Sequence, residues 1–184
     1  PDGDSDSNST SIAIGDKVQI RDDGPTAALI ENAPKVLHDE TAGVDANSND
    51  QAGALPAAFA ALGAALGWAA SASAVVTPNS SFGTDGPGTQ TLSLGVSGAN
   101  ADSGFDSLDG RNILLNVEGG LVVGRIDVGN DGATSGDPVA IAISISQGGI
   151  LSIAQYVAIA HPDTTNPNDV KTMLDSALLA VVTV

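Results

Sequence analysis

The clearest hydrophobic pattern runs from Pro138 to His161, PVAIAISISQGGILSIAQYVAIAH. Val139, Ile141, Ile143 and Ile145 alternate with small residues. Leu151, Ile153, Val157 and Ile159 do the same after Gly148-Gly149. Period two on both sides of a turn predicts a β-hairpin with one Ile-rich face. A two-residue Gly-Gly loop would set Ile145 opposite Ser152, so a longer connection that sets Ile145 opposite Ile153 is expected. The other face is almost all Ala and Ser, apart from Tyr156, and suits close packing.

The same pattern recurs along the chain. Ile12, Ile14, Val18 and Ile20 predict a strand over 11–21, interrupted at Gly15-Asp16. Short apolar runs predict strands at 27–31, 89–97 and 177–184, and a second hairpin around Gly119-Gly120. Asp102, Asp106 and Asp109 read as a loop. The one helical period is Leu55, Phe59, Leu62 and Leu66, which predicts a helical insertion over about 55–70, with Pro56 in its first turn. Trp68 is expected in the core. The charge-free run 52–76 is rich in Ala, Gly and Ser, and reads as a packed segment with no membrane insertion.

Charge narrows the partners. The chain has 184 residues with 22 acidic and six basic side chains, a formal charge of −16. A surface so poor in Lys and Arg does not bind nucleic acid. Only Glu31, Glu40 and Glu118 are glutamates; the other acids are Asp, the residue of turns and of oxygen-rich metal loops. No cysteine is present, so packing or metal must hold the fold.

Calcium is the expected ligand, because it takes six to eight hard oxygen donors. The first candidate group is Asp2, Asp4 and Asp6 with the adjacent pair Asp22 and Asp23. The second is Asp39, Glu40, Asp45, Asn47 and Asp50. The spacing 45, 47, 49, 50 matches the first half of a calcium loop, and equally an ordinary Asn/Asp turn. Enzymatic signatures are missing. His38 and His161 are the only histidines, which excludes a three-His zinc site, and neither H-E-x-x-H nor G-x-S-x-G occurs. The chain therefore reads as a non-enzyme.

Several stretches carry a family likeness: DDGPTA at 22–27, VLHDETAGVDA at 36–46, SFGTDGPGTQTLSLGVSG at 81–98, GGLVVGRID at 119–127, the hairpin over 139–163, and ALLAVVTV at 177–184. The Gln155-Tyr156 and His161-Pro162 pairs are its most specific parts. Together they resemble the tandem repeat modules of large bacterial RTX adhesins and RTX toxin-like proteins exported by type I secretion. The nonapeptide glycine-aspartate repeats of the secretion region are absent. The resemblance implies a mostly β, immunoglobulin-like β-sandwich extender module with a short α-helical insertion. It also implies a secreted or cell-surface location, neighbouring modules of the same polypeptide as partners, and a role in projecting an adhesive region. On that expectation 1–25 is a linker with the trailing strand of a preceding module, and 26–184 is one module. The alternative is a calcium-dependent module that binds a carbohydrate or surface ligand.

Overall fold

The computed structural model describes residues 3, 9–41, 43–84, 86–163, 165–166 and 168–184. Asp2, Asp4 and Asp6 lie outside them. The fold is mostly β. Its strands are β1 (Leu29–Glu31), β2 (Gly67–Ala70), β3 (Val76–Pro78), β4 (Thr91–Val96), β5 (Ala101–Asp106), β6 (Asn112–Glu118), β7 (Leu121–Ile126), β8 (Val139–Ile145), β9 (Leu151–Gln155) and β10 (Leu178–Thr183). Among the described residues the single α-helix, α1, is the one turn Ala57–Ala60. Among the described residues no helix is long and apolar enough to cross a membrane.

Six strands form an antiparallel sheet in the order β2-β9-β8-β7-β6-β5. The pairs β1-β3 and β4-β10 form two further sheets. Face one of the large sheet carries Ile113, Leu115, Val122, Ile141 and Ile143, and β4 lies against β6, β7 and β8. Gly124 makes this packing possible: a Cβ there would stand 2.6 Å from Ile141 and 2.9 Å from Ile113. Face two carries Leu121, Val123, Ala142 and Ala154, and receives Phe59, Leu55 and Leu62 from the helical segment. Small alanines on the sheet thus leave room for large side chains on the covering segment.

Both predicted hairpins form. Gly119 and Gly120 take positive φ of 57° and 85° in the two-residue turn between Glu118 and Leu121, as twisted hairpins favour. The β8-β9 connection is longer than two residues, as expected, but its register differs. Ile143 faces Ile153 and Ile145 faces Leu151. The loop closes between Ser146 and Ile150, with Gly149 at φ 80°. A glycine in the left-handed region at the third loop position sets this register.

Other expectations are corrected. Val139 packs on face two, away from Ile141 and Ile143, because the β7-β8 register shifts between Gly124 and Arg125. The helix predicted over 55–70 stops after one turn. Gly63 has φ 131°, and Gly67 and Trp68 belong to strand β2 beside β9. Residues 102–106, predicted as a loop, are strand β5. Gly104 at φ 76° and a register shift absorb the turn-forming residues, and the Ser103 hydroxyl donates to the Ile113 carbonyl at 2.5 Å. Residues 11–21 form no strand; they hold a 3-10 turn at Gly15–Lys17, and the first pairing is Thr26 with Ser81.

Candidate functional site

After β1 the chain crosses the end of the large sheet as a strap, residues 36–41 and 43–50. Its centre is Asp50. The Asp50 carboxylate meets His38 Nδ1 at 2.6 Å and accepts the Asp39 N–H at 3.2 Å, and the Asp45 N–H lies 3.5 Å away. The His38 and Asp50 side chains are 7% and 2% exposed, so these bonds form away from solvent. The imidazole lies on Gly67, where a Cβ would stand 2.6 Å from its Cε1. Burial opposes ionisation of Asp50, but hydrogen bonds from Ser48, His38 and Asp39 outweigh it and hold its pKa below the usual carboxylate value.

The strap also covers a sheet edge. Asp50 bridges Ala69, Ala70 N–H donates to the Asn49 carbonyl at 3.2 Å, and Gln51 N–H donates to the Trp68 carbonyl at 3.0 Å. β2 is the last strand of the sheet on that side, so these bonds occupy its outer edge. Glu40 ties the strap to the end of β9. Its Oε1 accepts from Gln155 Nε2 and from the Ile159 N–H, and lies 3.9 Å from His161 Nε2.

Between the strap and the loop residues 161–163, 165–166 and 168–171 lies a cleft of about 640 Å³, floored by Phe105, Ile141 and Ile153. Five carboxylates line it: Asp39, Glu40 and Asp45 from the strap, and Asp163 and Asp169 from the loop. The lysine in the lining, Lys171, bonds to Asp106 at 2.8 Å. His38 Nε2 and His161 Nδ1 are buried without a partner among the described residues.

The strap therefore gathers Asp39, Glu40, Asp45, Asn47 and Asp50, the second group singled out in the sequence. Their oxygens do not converge: among the described residues no three His, Asp or Glu side chains are placed to hold one ion. Two of them are engaged locally. Asp39 Oδ1 accepts the Thr41 N–H, and Asp45 Oδ1 accepts the Asn47 N–H, both at 2.7 Å. These hydrogen bonds from Thr41 hold the Asp39 pKa down. Asp22 and Asp23 lie in the exposed run before β1 and do not line the cleft. Asp163 and Asp169 were not singled out. Their signal was a loop of turn formers, HPDTTNPND, and only the fold brings it opposite the strap.

A family model described as a domain of unknown function, DUF5801, matches residues 35–184. The chain belongs to the DUF5801 family. Comparison with curated proteins found no match, and comparison with solved structures found none. The DUF5801 span takes in the strap, both cleft walls and every strand from β2 to β10. Asp22 and Asp23 fall outside it. Within the DUF5801 domain, Gln155 and Tyr156 point to opposite faces. Gln155 Nε2 also donates to the Val157 carbonyl at 2.9 Å, while Tyr156 OH donates to the Phe59 carbonyl at 2.7 Å. Burial pushes the Tyr156 phenol up to about 12.

Proposed function

We propose that this DUF5801 chain is a calcium-stabilised structural extender repeat of a large secreted or cell-surface bacterial adhesin. The observation that carries the reading is the acidic cleft: five carboxylate residues line it from two sides, and the lysine beside them is spent on Asp106. Hard oxygen donors of this kind suit calcium, and a divalent ion there would offset their mutual repulsion. Asp39, Glu40, Asp45, Asp163 and Asp169 would hold it. Because they do not converge in the present arrangement, binding requires the strap and the loop to draw together. Weak binding follows, in the range of about 10⁻⁴–10⁻³ M typical of extracellular modules. The ion would then act mechanically, locking strap to loop.

The layered β architecture fits an immunoglobulin-like sandwich, with β4-β10 as the smaller layer. Residues 26–184 would be the module, and 1–25 the linker and trailing strand of a preceding one. Asp22 and Asp23, with Asp2, Asp4 and Asp6, remain candidates for a second ion at that junction. Calcium-dependent carbohydrate or surface binding is the second reading, favoured by the size of the cleft. Lectin-like sites use an exposed aromatic, whereas Trp68 and Tyr156 pack on the opposite face, half-buried.

Thermal unfolding at low and millimolar calcium, with magnesium as control, tests the main reading. Calcium about tenfold above its dissociation constant contributes about 1.4 kcal/mol, a rise of roughly 3–6 °C for a chain of this size. The double variant Asp163→Asn/Asp169→Asn should remove the rise. An equal response to both ions, or none, would sink the calcium claim.

A further inference from the structure

The sheets differ in how their edges are treated. β2 is covered by the strap. β5 receives the Leu174 N–H on the Ser103 carbonyl at 2.9 Å. On β4, the Leu92 N–H and carbonyl are both bonded by the Gln147 side chain at 2.8 Å. The β1-β3 ribbon is three residues long and ends in Pro78, which blunts it. β10 alone has neither a cover nor a blunting residue. It pairs with β4 along six residues, and among the described residues no other hydrogen bond reaches its backbone. Its sequence, LLAVVT, holds no charge and no proline, and Leu179 and Val181 stand exposed on its outer face. Its inward residues Leu178, Ala180 and Val182 are only half-buried, whereas Leu92 and Leu94 opposite them on β4 are 3% and 8% exposed. The small layer is thus one strand short on the β10 side.

The same molecule carries an unused strand. Ile12, Ile14, Val18 and Ile20 are 86%, 63%, 73% and 94% exposed, the most exposed run of large aliphatic side chains in the chain. Their alternation is that of a half-buried strand, yet nothing in the described chain covers them. The charge also fits. Ser11–Arg21 holds Lys17 and Arg21 against Asp16, a net positive segment in a chain of net charge −16. Within the segment itself, charge does not oppose approach to an acidic body, although Asp22 and Asp23 follow directly.

We propose that Ser11–Arg21 of one copy adds as a strand to the open edge of β10 in a second copy. Backbone hydrogen bonds would give the affinity, and the alternating aliphatics would cover the half-buried inward row of β10. This deepens the extender reading, on which it rests for the idea that like modules meet. It needs no metal. A donor segment and an acceptor edge at different places on one surface make a head-to-tail contact, which yields growing series unless two copies exchange segments reciprocally.

The test is sedimentation of the full chain over a range of concentrations in excess chelator, beside the full-length variant Ile12→Asp/Ile20→Asp. Both changed side chains are exposed, so the variant should keep the wild-type melting temperature. The wild type is expected to associate as concentration rises, and the variant to lose that association. Amide exchange should show β10 and Ser11–Arg21 gaining protection together in the associated wild type. A wild type that stays monomeric overturns the proposal, as does a variant that associates equally well. Protection of Ser11–Arg21 in the monomer would also overturn it, by placing the segment on its own chain. Because chelator is present throughout, failure here leaves the calcium reading standing, and failure of the calcium shift leaves this one standing.

Discussion

Two consecutive stretches that hold no strand are fastened to the same end of β9, one on each face. The strap, residues 36–50, is held by polar bonds: the Asp50 carboxylate at its centre and Glu40 on Gln155. The segment around α1, residues 55–66, is held by apolar burial, with Phe59 1% exposed over Ala142 and Ala154 and one polar bond from Tyr156. Similar lengths of chain are thus ordered by different physics. The contrast shows why acidic side chains are no guide to chemistry on their own. In the strap they replace a hydrophobic core, satisfying the N–H groups that a covering segment without strand or helix leaves open.

The difference has measurable consequences. Phe59→Ala should cost the most, about 3–5 kcal/mol, since it empties a filled site against the sheet. A loss below about 1 kcal/mol in urea unfolding would show that the apolar segment is dispensable. Asp50→Ala should cost about 1–3 kcal/mol by leaving His38 Nδ1 and the Asp39 N–H without an acceptor. Its signature is local: amide exchange should accelerate over residues 37–51 while β6 to β8 keep their protection. Uniform acceleration would mean that the strap unfolds only with the whole domain.

The two attachments should also fail at opposite ends of the pH scale. The Asp50 pKa is lowered in the fold, so its contribution is present above the unfolded value of about 3.9 and lost as pH falls through the folded one. The strap should hold at mild acidity and release only below about pH 4. The Tyr156 pKa is raised to about 12, so its contribution is present below the unfolded value and lost as pH rises through the folded one. That window runs from about pH 10 to about 12. Residue-resolved exchange or side-chain resonances across both windows would check the assignment, and release of both segments in one window would break it. Tyr156→Phe should have the smallest effect, about 0.5–1.5 kcal/mol at neutral pH. It should also abolish the alkaline loss of the α1 segment.

Much of the fold was legible where a strict period met a glycine turn. The β6-β7 and β8-β9 hairpins follow from apolar runs around Gly-Gly turns, though not the β8-β9 register, and β10 follows from an unbroken apolar run. The helical stripe told which residues face the sheet, since Leu55, Phe59 and Leu62 do so, but overstated the helix. Gly63 ends it, and Leu66 is exposed. β5 was hidden because Asp102, Gly104 and Asp106 are turn formers, and only pairing with β6 makes a strand of them. In the site, the acids of the strap were visible as a cluster. What each carboxylate bonds was not, because Asp39 and Asp45 turn back onto their own backbone while Asp50 reaches across the strap. Asp163 and Asp169 depend on a crossing after β9 that leaves no local pattern. The aliphatic alternation over 11–21 reads as a strand in isolation, and among the described residues nothing pairs with it.

The strap's bonds to β2 have a kinetic consequence. A molecule whose strap lifts in acid uncovers the backbone of Gly67–Ala70, and that strip can template another strand. Opening is a first-order event within one molecule, whereas capture of the uncovered strip is second order in protein. Dilute samples taken through acid should therefore recover on neutralisation, and concentrated ones should turn cloudy. The same lesion would be reversible or irreversible according to how far apart the molecules stand.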